Sequence, residues 1–97
     1  MTLERYLRNQ DAISDAEQEI LAQKCVLVVG CGGLGGYVIE CLARIGVGHM
    51  RVVDNDVFDE SNLNRQLLSS SMNLGRPKTL AARQRAMAIN PLVEIEA

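Results

Sequence analysis

The chain has 97 residues, with ten lysines and arginines against twelve aspartates and glutamates, so its formal charge is −2. A chain of this length forms one domain at most, and 47% hydrophobic with 23% charged residues excludes a disordered tail, a collagen-like chain and a coiled coil. The small negative charge predicts no attraction to nucleic acid or to an anionic membrane.

Targeting signals and disulfides are not expected. No apolar run approaches the ~20 residues of a membrane span, and residues 1–10 lack the apolar region of a signal peptide, so we expect a cytoplasmic protein with no membrane partner. Three cysteines, without a C-x-x-C pair, exclude a disulfide scaffold and a four-thiolate zinc site within the chain. We expect Cys25 and Cys41 to be buried, whereas Cys31, in a glycine loop, is a candidate reactive thiol.

Residues 1–24 are predicted to form a helical arm. The capping box Ser14-Asp15-Ala16-Glu17 begins a helix that ends near Lys24, because the outer side chains of such a box satisfy free backbone N–H groups. A short helix is predicted before it, over residues 3–9.

A strand, a glycine loop, a helix and a second strand follow. Cys25–Val29 is continuous and β-branched, which predicts a strand buried on both faces, as in parallel sheets. A helix is predicted over residues 34–45, ending at Gly46, because one apolar stripe recurs every three or four positions: Leu34, Val38, Cys41, Leu42 and Ile45. The strand Met50–Val53 completes a βαβ unit.

The remaining segments extend the same pattern. A short helix is expected over residues 59–67, and an alanine-rich helix from Pro77 to Asn90. Residues 92–96 begin a third strand. We therefore predict an α/β fold: a Rossmann-like parallel half-domain over residues 25–97, incomplete at its third strand, preceded by the arm over residues 1–24.

The loop Gly30-Cys31-Gly32-Gly33-Leu34-Gly35-Gly36 lies where a phosphate-binding turn requires it, between a strand and a helix. A phosphate must approach the backbone N–H groups closely, which a Cβ atom would obstruct, and the helix N-terminus adds about half a positive charge. Asp54, at the end of the second strand, is placed to bind ribose hydroxyls. The alternatives are a tight turn without ligand and turn-forming aspartates, a role that suits Asp56 and Asp59 better.

The distribution of cations favours a triphosphate over a dinucleotide. No acidic residue occurs from Ser61 to Val93, a stretch that holds half of the cations: Arg65, Arg76, Lys78, Arg83 and Arg85. The glycine loop already serves a pyrophosphate, and a triphosphate needs further neutralisation by arginine forks and a lysine. We expect Arg83 and Arg85 to lie on a solvated helix face instead.

The motifs together resemble a known family. They occur in the order Arg5-Tyr6-x-Arg8, Gly30-x-Gly32-Gly33-x-Gly35, Asp54-x-Asp56, Asn62-x-x-Arg65-Gln66 and Gly75-x-Pro77-Lys78. This set resembles the ThiF/MoeB/HesA group of ubiquitin-activating-like adenylyltransferases over essentially the whole chain. One departure is that Asn9 separates Arg8 from the glutamine that family members often place directly after the arginine.

The resemblance implies a reaction and a set of roles. The C-terminal carboxylate of a ubiquitin-like sulfur-carrier protein attacks the α-phosphate of MgATP, and pyrophosphate leaves. By matched position, the implied nucleotide-binding residues are Gly30, Gly32, Gly33, Gly35, Asp54, Asp56, Asn62, Arg65, Gln66 and Lys78. The implied catalytic residues are Arg65, Lys78 and Arg8, with Arg8 reaching the site of the other subunit in a homodimer. The family's Mg²⁺-binding aspartate and its catalytic and zinc-binding cysteines lie downstream of the matched motifs, so no metal ligand is assigned here.

Three other functions stay open on the sequence alone. The glycine loop and Asp54 also fit an NAD-dependent oxidoreductase. A non-catalytic dimerisation or regulatory module would keep the fold without the chemistry. A tRNA-modifying dehydratase resembles the same family. In the main interpretation, the chain is the ATP-binding N-terminal part of a longer enzyme and is inactive by itself.

Overall fold

A computed structural model describes residues 3–97, so Met1 and Thr2 of the predicted arm lie outside the described residues. The elements in chain order are a 3₁₀ helix (Glu4–Asp11), α1 (Asp15–Ala22), β1 (Cys25–Val29), α2 (Gly33–Ile45), β2 (His49–Val53), a 3₁₀ turn (Glu60–Asn62), α3 (Lys78–Ile89) and β3 (Glu94–Glu96). The strands form one parallel sheet in the order β1-β2-β3. The predicted α/β fold is confirmed.

The helix ends follow the local chemistry of the sequence. At α1, the Glu17 N–H donates to Ser14 Oγ at 3.2 Å and the Ser14 N–H donates to Glu17 Oε1 at 2.9 Å, which completes the capping box. Gly46 ends α2 with a φ of 98°, a left-handed conformation that favours glycine. Pro77 precedes α3 instead of beginning it. The helix predicted over residues 59–67 is shorter, because only Glu60–Asn62 is helical.

The helices α2 and α3 cover one face of the sheet. Val28, Met50, Val52 and Ile95 point to that face and are buried with residues of both helices. On the other face, Leu27 is 61% exposed, and Arg51 pairs with Glu96 at 3.0 Å. The prediction that β1 is buried on both faces is therefore wrong for the described residues, because both crossovers place their helix on the same side.

Four of the five residues of the apolar stripe predicted for α2 are exposed, and only Leu42 packs against the core. The buried residues of α2 are Gly36, Ile39, Glu40 and Ala43, on the opposite side of the helix. Two of these four are glycine and alanine, so the helix lies close to its neighbours on this side. Cys41 belongs to the outward stripe and is exposed, as is Cys25, whereas Cys31 is fully buried. The expectation that Cys25 and Cys41 are buried was thus wrong.

Buried amide groups attach the arm to the body. Asn90 is 2% exposed, and its Nδ2 donates to Tyr6 Oη at 2.7 Å and to the Ala43 carbonyl at 2.9 Å. Gln18 of α1 donates through Nε2 to the Ile45 carbonyl at 2.6 Å. These contacts fix the arm at the C-terminal end of α2. No helix among residues 3–97 is long and apolar enough to cross a membrane.

We predict that Asn90→Ala destabilises the protein by about 2–6 kcal/mol, because the buried Tyr6 hydroxyl and Ala43 carbonyl each lose a partner at a cost of about 1–3 kcal/mol. The measurement is urea unfolding followed by circular dichroism. Asn64→Ala, at an exposed asparagine, is the control and should change the free energy of unfolding by less than about 0.5 kcal/mol. Equal losses in the two variants would contradict the role of Asn90.

Candidate functional site

The glycine loop is fixed to the end of the neighbouring strand. Gly30 has a φ of 96°, and its N–H donates to the Val53 carbonyl at 2.7 Å. The Cys31 N–H donates to Asp54 Oδ2 at 2.8 Å. The loop then enters α2 at Gly33 without a side chain that caps the helix. Unsatisfied N–H groups of the first helical turn are therefore available to an anion.

The glycines of the loop divide into two kinds. A Cβ on Gly35 would lie 1.8 Å from the Gly30 carbonyl oxygen, so the fold itself requires glycine there. A Cβ on Gly33 would meet nothing within 4 Å, and one on Gly32 would touch only the Gln66 side chain, at 3.4 Å. Packing within the chain does not explain these two glycines. The open space beside them is what a closely approaching phosphate needs.

The Asp54 carboxylate stabilises the glycine loop and the turn after β2 through hydrogen bonds. Its Oδ2 accepts from Cys31, and its Oδ1 accepts from the Asp56 N–H at 2.8 Å. A carboxylate has about four acceptor positions, so two of them stay available for ribose hydroxyls. Asp56 is exposed, and its contribution is a backbone carbonyl that accepts from the Lys78 N–H at 3.1 Å.

Lys78 is a buried cation without a carboxylate partner. The residue is 7% exposed, and none of the ion pairs within residues 3–97 includes it. Its Nζ lies 5.5 Å from the centre of the Phe58 ring, a cation–π arrangement. Because a buried charge without a counter-ion is unfavourable, this position suits an incoming anion.

Phe58 is the residue of the site that the sequence analysis missed. It is 1% exposed, and backbone hydrogen bonds hold it beside the start of α3: its N–H donates to the Arg76 carbonyl at 3.1 Å, and the Gly75 N–H donates to its carbonyl at 2.8 Å. The available signal was that the chain's one phenylalanine stands in a polar segment. Its ring supports the lysine that the resemblance had already selected.

The Asn62-x-x-Arg65-Gln66 motif is split among three surroundings. Gln66 is buried against Gly32, and its Oε1 has no hydrogen-bond partner within residues 3–97, which is uncommon for a buried polar atom. Asn62 is buried and accepts through Oδ1 from the Asp59 N–H at 2.9 Å, so its side chain caps a turn. Arg65 is exposed and donates through Nη1 to the Ser61 carbonyl at 3.1 Å.

Arg8 is not near this site within one chain. It is exposed on the 3₁₀ helix, whose Asn9 donates to the Ile45 carbonyl at the C-terminal end of α2. The glycine loop lies at the N-terminal end of α2, and a helix of 13 residues is about 20 Å long. The described chain thus brings together the loop, Asp54, Gln66 and Lys78, and leaves Arg8 at the far end of the helix.

The surroundings of Cys31 make its thiol unreactive. Burial, reinforced by the Asp54 carboxylate, raises the pKa of the Cys31 thiol to about 11, although Lys78 acts in the opposite direction. Within residues 3–97, no group of three or more histidine, cysteine, aspartate or glutamate residues could hold a metal ion.

Arg83 and Arg85 are exposed on α3, as predicted, and the Arg85 guanidinium pairs with the Glu40 carboxylate at 2.8 Å.

Comparison with known proteins finds similarity over nearly the whole of this chain. The model of the ThiF family matches residues 4–97. The chain is 43% identical over 97 residues to the sulfur carrier protein adenylyltransferase of Thermus thermophilus, covering 98% of this chain and 36% of that protein. It is 40% identical over 93 residues to the tRNA threonylcarbamoyladenosine dehydratase of Bacillus subtilis, covering 96% and 37%. The chain therefore spans little more than a third of these relatives.

A third relative and two solved structures agree. The SAMP-activating enzyme E1 of Haloferax volcanii is 41% identical over 96 residues, which covers 97% of this chain and 36% of that protein. The E. coli dehydratase TcdA in complex with ATP matches with a TM-score of 0.92 at 29% identity, over 96% of this chain and 38% of that one. E. coli MccB with ATP matches with a TM-score of 0.90 at 30% identity, over 99% and 30%. The dehydratase TcdA and MccB thus share the fold of this chain.

We predict that Cys25 and Cys41 react with a chromogenic disulfide reagent at pH 8 and that Cys31 does not. The first two thiols are exposed, whereas Cys31 is buried and forms its thiolate only near its raised pKa of about 11. The measurement is the number of fast-reacting thiols in the native protein and in single cysteine-to-serine variants. Fast reaction that disappears in Cys31→Ser would contradict this assignment.

Proposed function

Because this chain belongs to the ThiF family, we propose that it is the ATP-binding part of an adenylyltransferase that activates the C-terminal carboxylate of a ubiquitin-like sulfur-carrier protein. Residues 1–24 form the arm of this enzyme and residues 25–97 its nucleotide-binding half. The observation that carries the proposal is the buried Lys78, which no ion pair within residues 3–97 includes and whose charge acts on the pKa of Cys31 in the glycine loop, together with the open space beside Gly33. The names of the Thermus and Haloferax relatives support the carrier protein as substrate.

In the proposed reaction, the first turn of α2 receives the phosphates and Asp54 binds the ribose. A carboxylate oxygen of the carrier bonds to the α-phosphorus while the bond from that phosphorus to the bridging oxygen breaks. Pyrophosphate leaves with the electron pair, and Lys78 stabilises the charge that accumulates on it. The protein contributes position and charge and supplies no nucleophile.

Two further phosphate contacts complete the site. The Gln66 side chain, which lies against Gly32, donates its amide N–H to a phosphate oxygen, and Arg65 turns from its loop to do the same. Mg²⁺ would neutralise charge on the phosphates of a bound nucleotide, and none of residues 3–97 is assigned to hold it. Two exposed free thiols suit a reducing compartment, which supports a cytoplasmic location.

A second function, tRNA-modifying dehydratase, draws support from the TcdA structure and the Bacillus relative. Both functions use the same nucleotide site, so the activated group distinguishes them. Pyrophosphate exchange that increases with a carrier protein ending in glycine favours the first function, whereas exchange that increases only with tRNA favours the second.

We predict that Lys78→Ala lowers ATP–pyrophosphate exchange in the full-length protein by about 10²–10³, the usual effect of removing one preorganised donor from a charged transition state. Arg65→Ala should also lower it strongly. Arg83→Ala, which removes an exposed cation from the same helix, should leave the rate unchanged. If both Lys78→Ala and Arg65→Ala keep the normal rate, the phosphate assignment is wrong.

We predict that Gly33→Ala raises the Kd for ATP at least ~10-fold without lowering thermal stability, because the added methyl group occupies ligand space and touches no protein atom. Cys41→Ala, on the outer side of the same helix, is the matched control. The measurement is calorimetric titration with ATP and, separately, with NAD. Binding of NAD in place of ATP would favour the oxidoreductase alternative.

We also propose that Arg8 acts across a homodimer. Neither Arg8→Ala nor Lys78→Ala should support exchange alone, but the two coexpressed should recover about a quarter of the normal rate, because half of the dimers are mixed and each mixed dimer has one intact site. Coexpression of Lys78→Ala with the double variant is the control and should recover nothing. Failure of the first pair would contradict the action of Arg8 across subunits.

A further inference from the structure

A buried carboxylate connects the two helices that carry the candidate site. Glu40 of α2 is 9% exposed, and its Oε1 accepts from Arg85 Nη2 of α3 at 2.8 Å. The same oxygen accepts from Arg44 Nη2 at 2.9 Å, one turn further along α2. The Arg85 guanidinium, more than that of Arg44, holds the pKa of the Glu40 carboxyl below its usual value. The carboxylate is therefore charged at neutral pH, and one of its two ion pairs crosses between helices.

This contact lies at the same distance from the site along both helices. Gly33 begins α2 and Lys78 begins α3. Glu40 and Arg85 each follow the first residue of their helix by two turns, which is about 10 Å. Because α2 and α3 both connect parallel strands on the same side of the sheet, they run in the same direction. The contact is thus level, on one helix, with the open amides and, on the other, with the cation.

The packing of the helices gives little resistance to sliding. Most of their buried side chains are small: Gly36, Ala43, Ala81, Ala82 and Ala86. Side chains this short form shallow ridges and grooves, which allow close approach but fix the axial position of one helix against the other only weakly. A second hydrogen bond between these segments, from Asn90 to the Ala43 carbonyl, lies further from the site, at the C-terminal ends of the helices.

The second oxygen of the carboxylate makes the ion pair costly to bury. Glu40 Oε2 is buried and has no hydrogen-bond partner within residues 3–97. A buried ion pair adds little net stability, because the removal of two charges from water offsets their attraction, and an unpartnered oxygen increases that cost. The best-supported use of such a pair is to fix the register between packed elements.

We propose that the contact between Glu40 and Arg85 fixes the axial register of α2 against α3 and so keeps Lys78 level with the amides of the glycine loop. The inference rests on the proposed function and identifies what positions its cation. Glu40 and Arg85 are positioning residues, since both lie about 10 Å from the phosphate-binding ends of their helices. The hydrogen bonds of Asp54 order the loop and the turn that precede these helices, whereas the ion pair acts on the helices themselves.

The first test compares Arg85→Met with Arg44→Met in the full-length protein. Each variant removes one guanidinium from the same carboxylate oxygen, but only Arg85→Met removes the contact between helices. We expect Arg85→Met to lower the kcat of ATP–pyrophosphate exchange by about 10–100-fold, because a displacement of about 1 Å has effects of that size. Its KM for ATP should change less than about 2-fold, as expected when only the transition state loses an interaction. Arg44→Met should keep both constants, and an equal kcat in the two variants overturns the proposal.

Urea unfolding of both variants separates position from stability. The side chains of Arg44 and Arg85 are 59% and 47% exposed, so we expect both variants to fold and to lose similar stability. If Arg85→Met does not fold, Glu40→Gln decides the question, because it keeps the shape of the side chain and removes its charge. A normal kcat in Glu40→Gln then overturns the proposal, whereas a loss of about 10-fold or more supports it.

A double variant tests whether Arg85 acts through Lys78. If it does, Arg85→Met should lower the rate by less than about 2-fold once Lys78→Ala is present, whereas independent effects would multiply. Multiplied effects overturn the proposal. Normal exchange in Lys78→Ala would contradict the assignment of Lys78 in the proposed function, and with it this inference. A low rate in Lys78→Ala beside a normal rate in Arg85→Met would contradict the positioning role alone.

Discussion

The carboxylate of Asp54 connects the two parts of the molecule on which the site depends. Through Cys31 it holds the glycine loop, and through Asp56 it shapes the turn after β2. The same turn provides the carbonyl that receives the Lys78 N–H at the start of α3. One side chain at the end of a strand therefore sets the distance between the open amides of α2 and the cation of α3. Loss of either hydrogen bond would let the two halves of the site separate.

Sequence reasoning succeeded where the signal was local. The capping box at Ser14, the strand Cys25–Val29 and the stop at Gly46 depend on neighbouring residues and were located within a residue or two. Sequence reasoning failed for the buried faces of β1 and α2, because the packing of other elements decides which face is covered. For α2, periodicity could not choose between the Leu34 side and the Ile39 side, because both are apolar and only tertiary packing decides between them.

In the candidate site too, motif spacing selected residues, but it could not reveal the contacts that those residues make in the folded chain. The motifs selected Gln66, which is buried against Gly32, and Lys78, which is buried over the Phe58 ring. Spacing alone could not show that the side-chain oxygen of Asn62 accepts a hydrogen bond within a turn or that Arg65 lies on the surface. Nor could it find Phe58, because an aromatic ring beneath a lysine is a contact between segments twenty residues apart.

The ring of Phe58 has a consequence for turnover. A lysine held by a carboxylate must break an ion pair each time an anion arrives and re-forms that pair when the anion departs. Lys78 faces a neutral ring, and none of the ion pairs within residues 3–97 includes it, although its charge helps to lower the pKa of the Asp59 carboxyl. In the proposed reaction, no ion pair within residues 3–97 re-forms at Lys78 when pyrophosphate leaves, so we expect its release to be a slow step of the cycle.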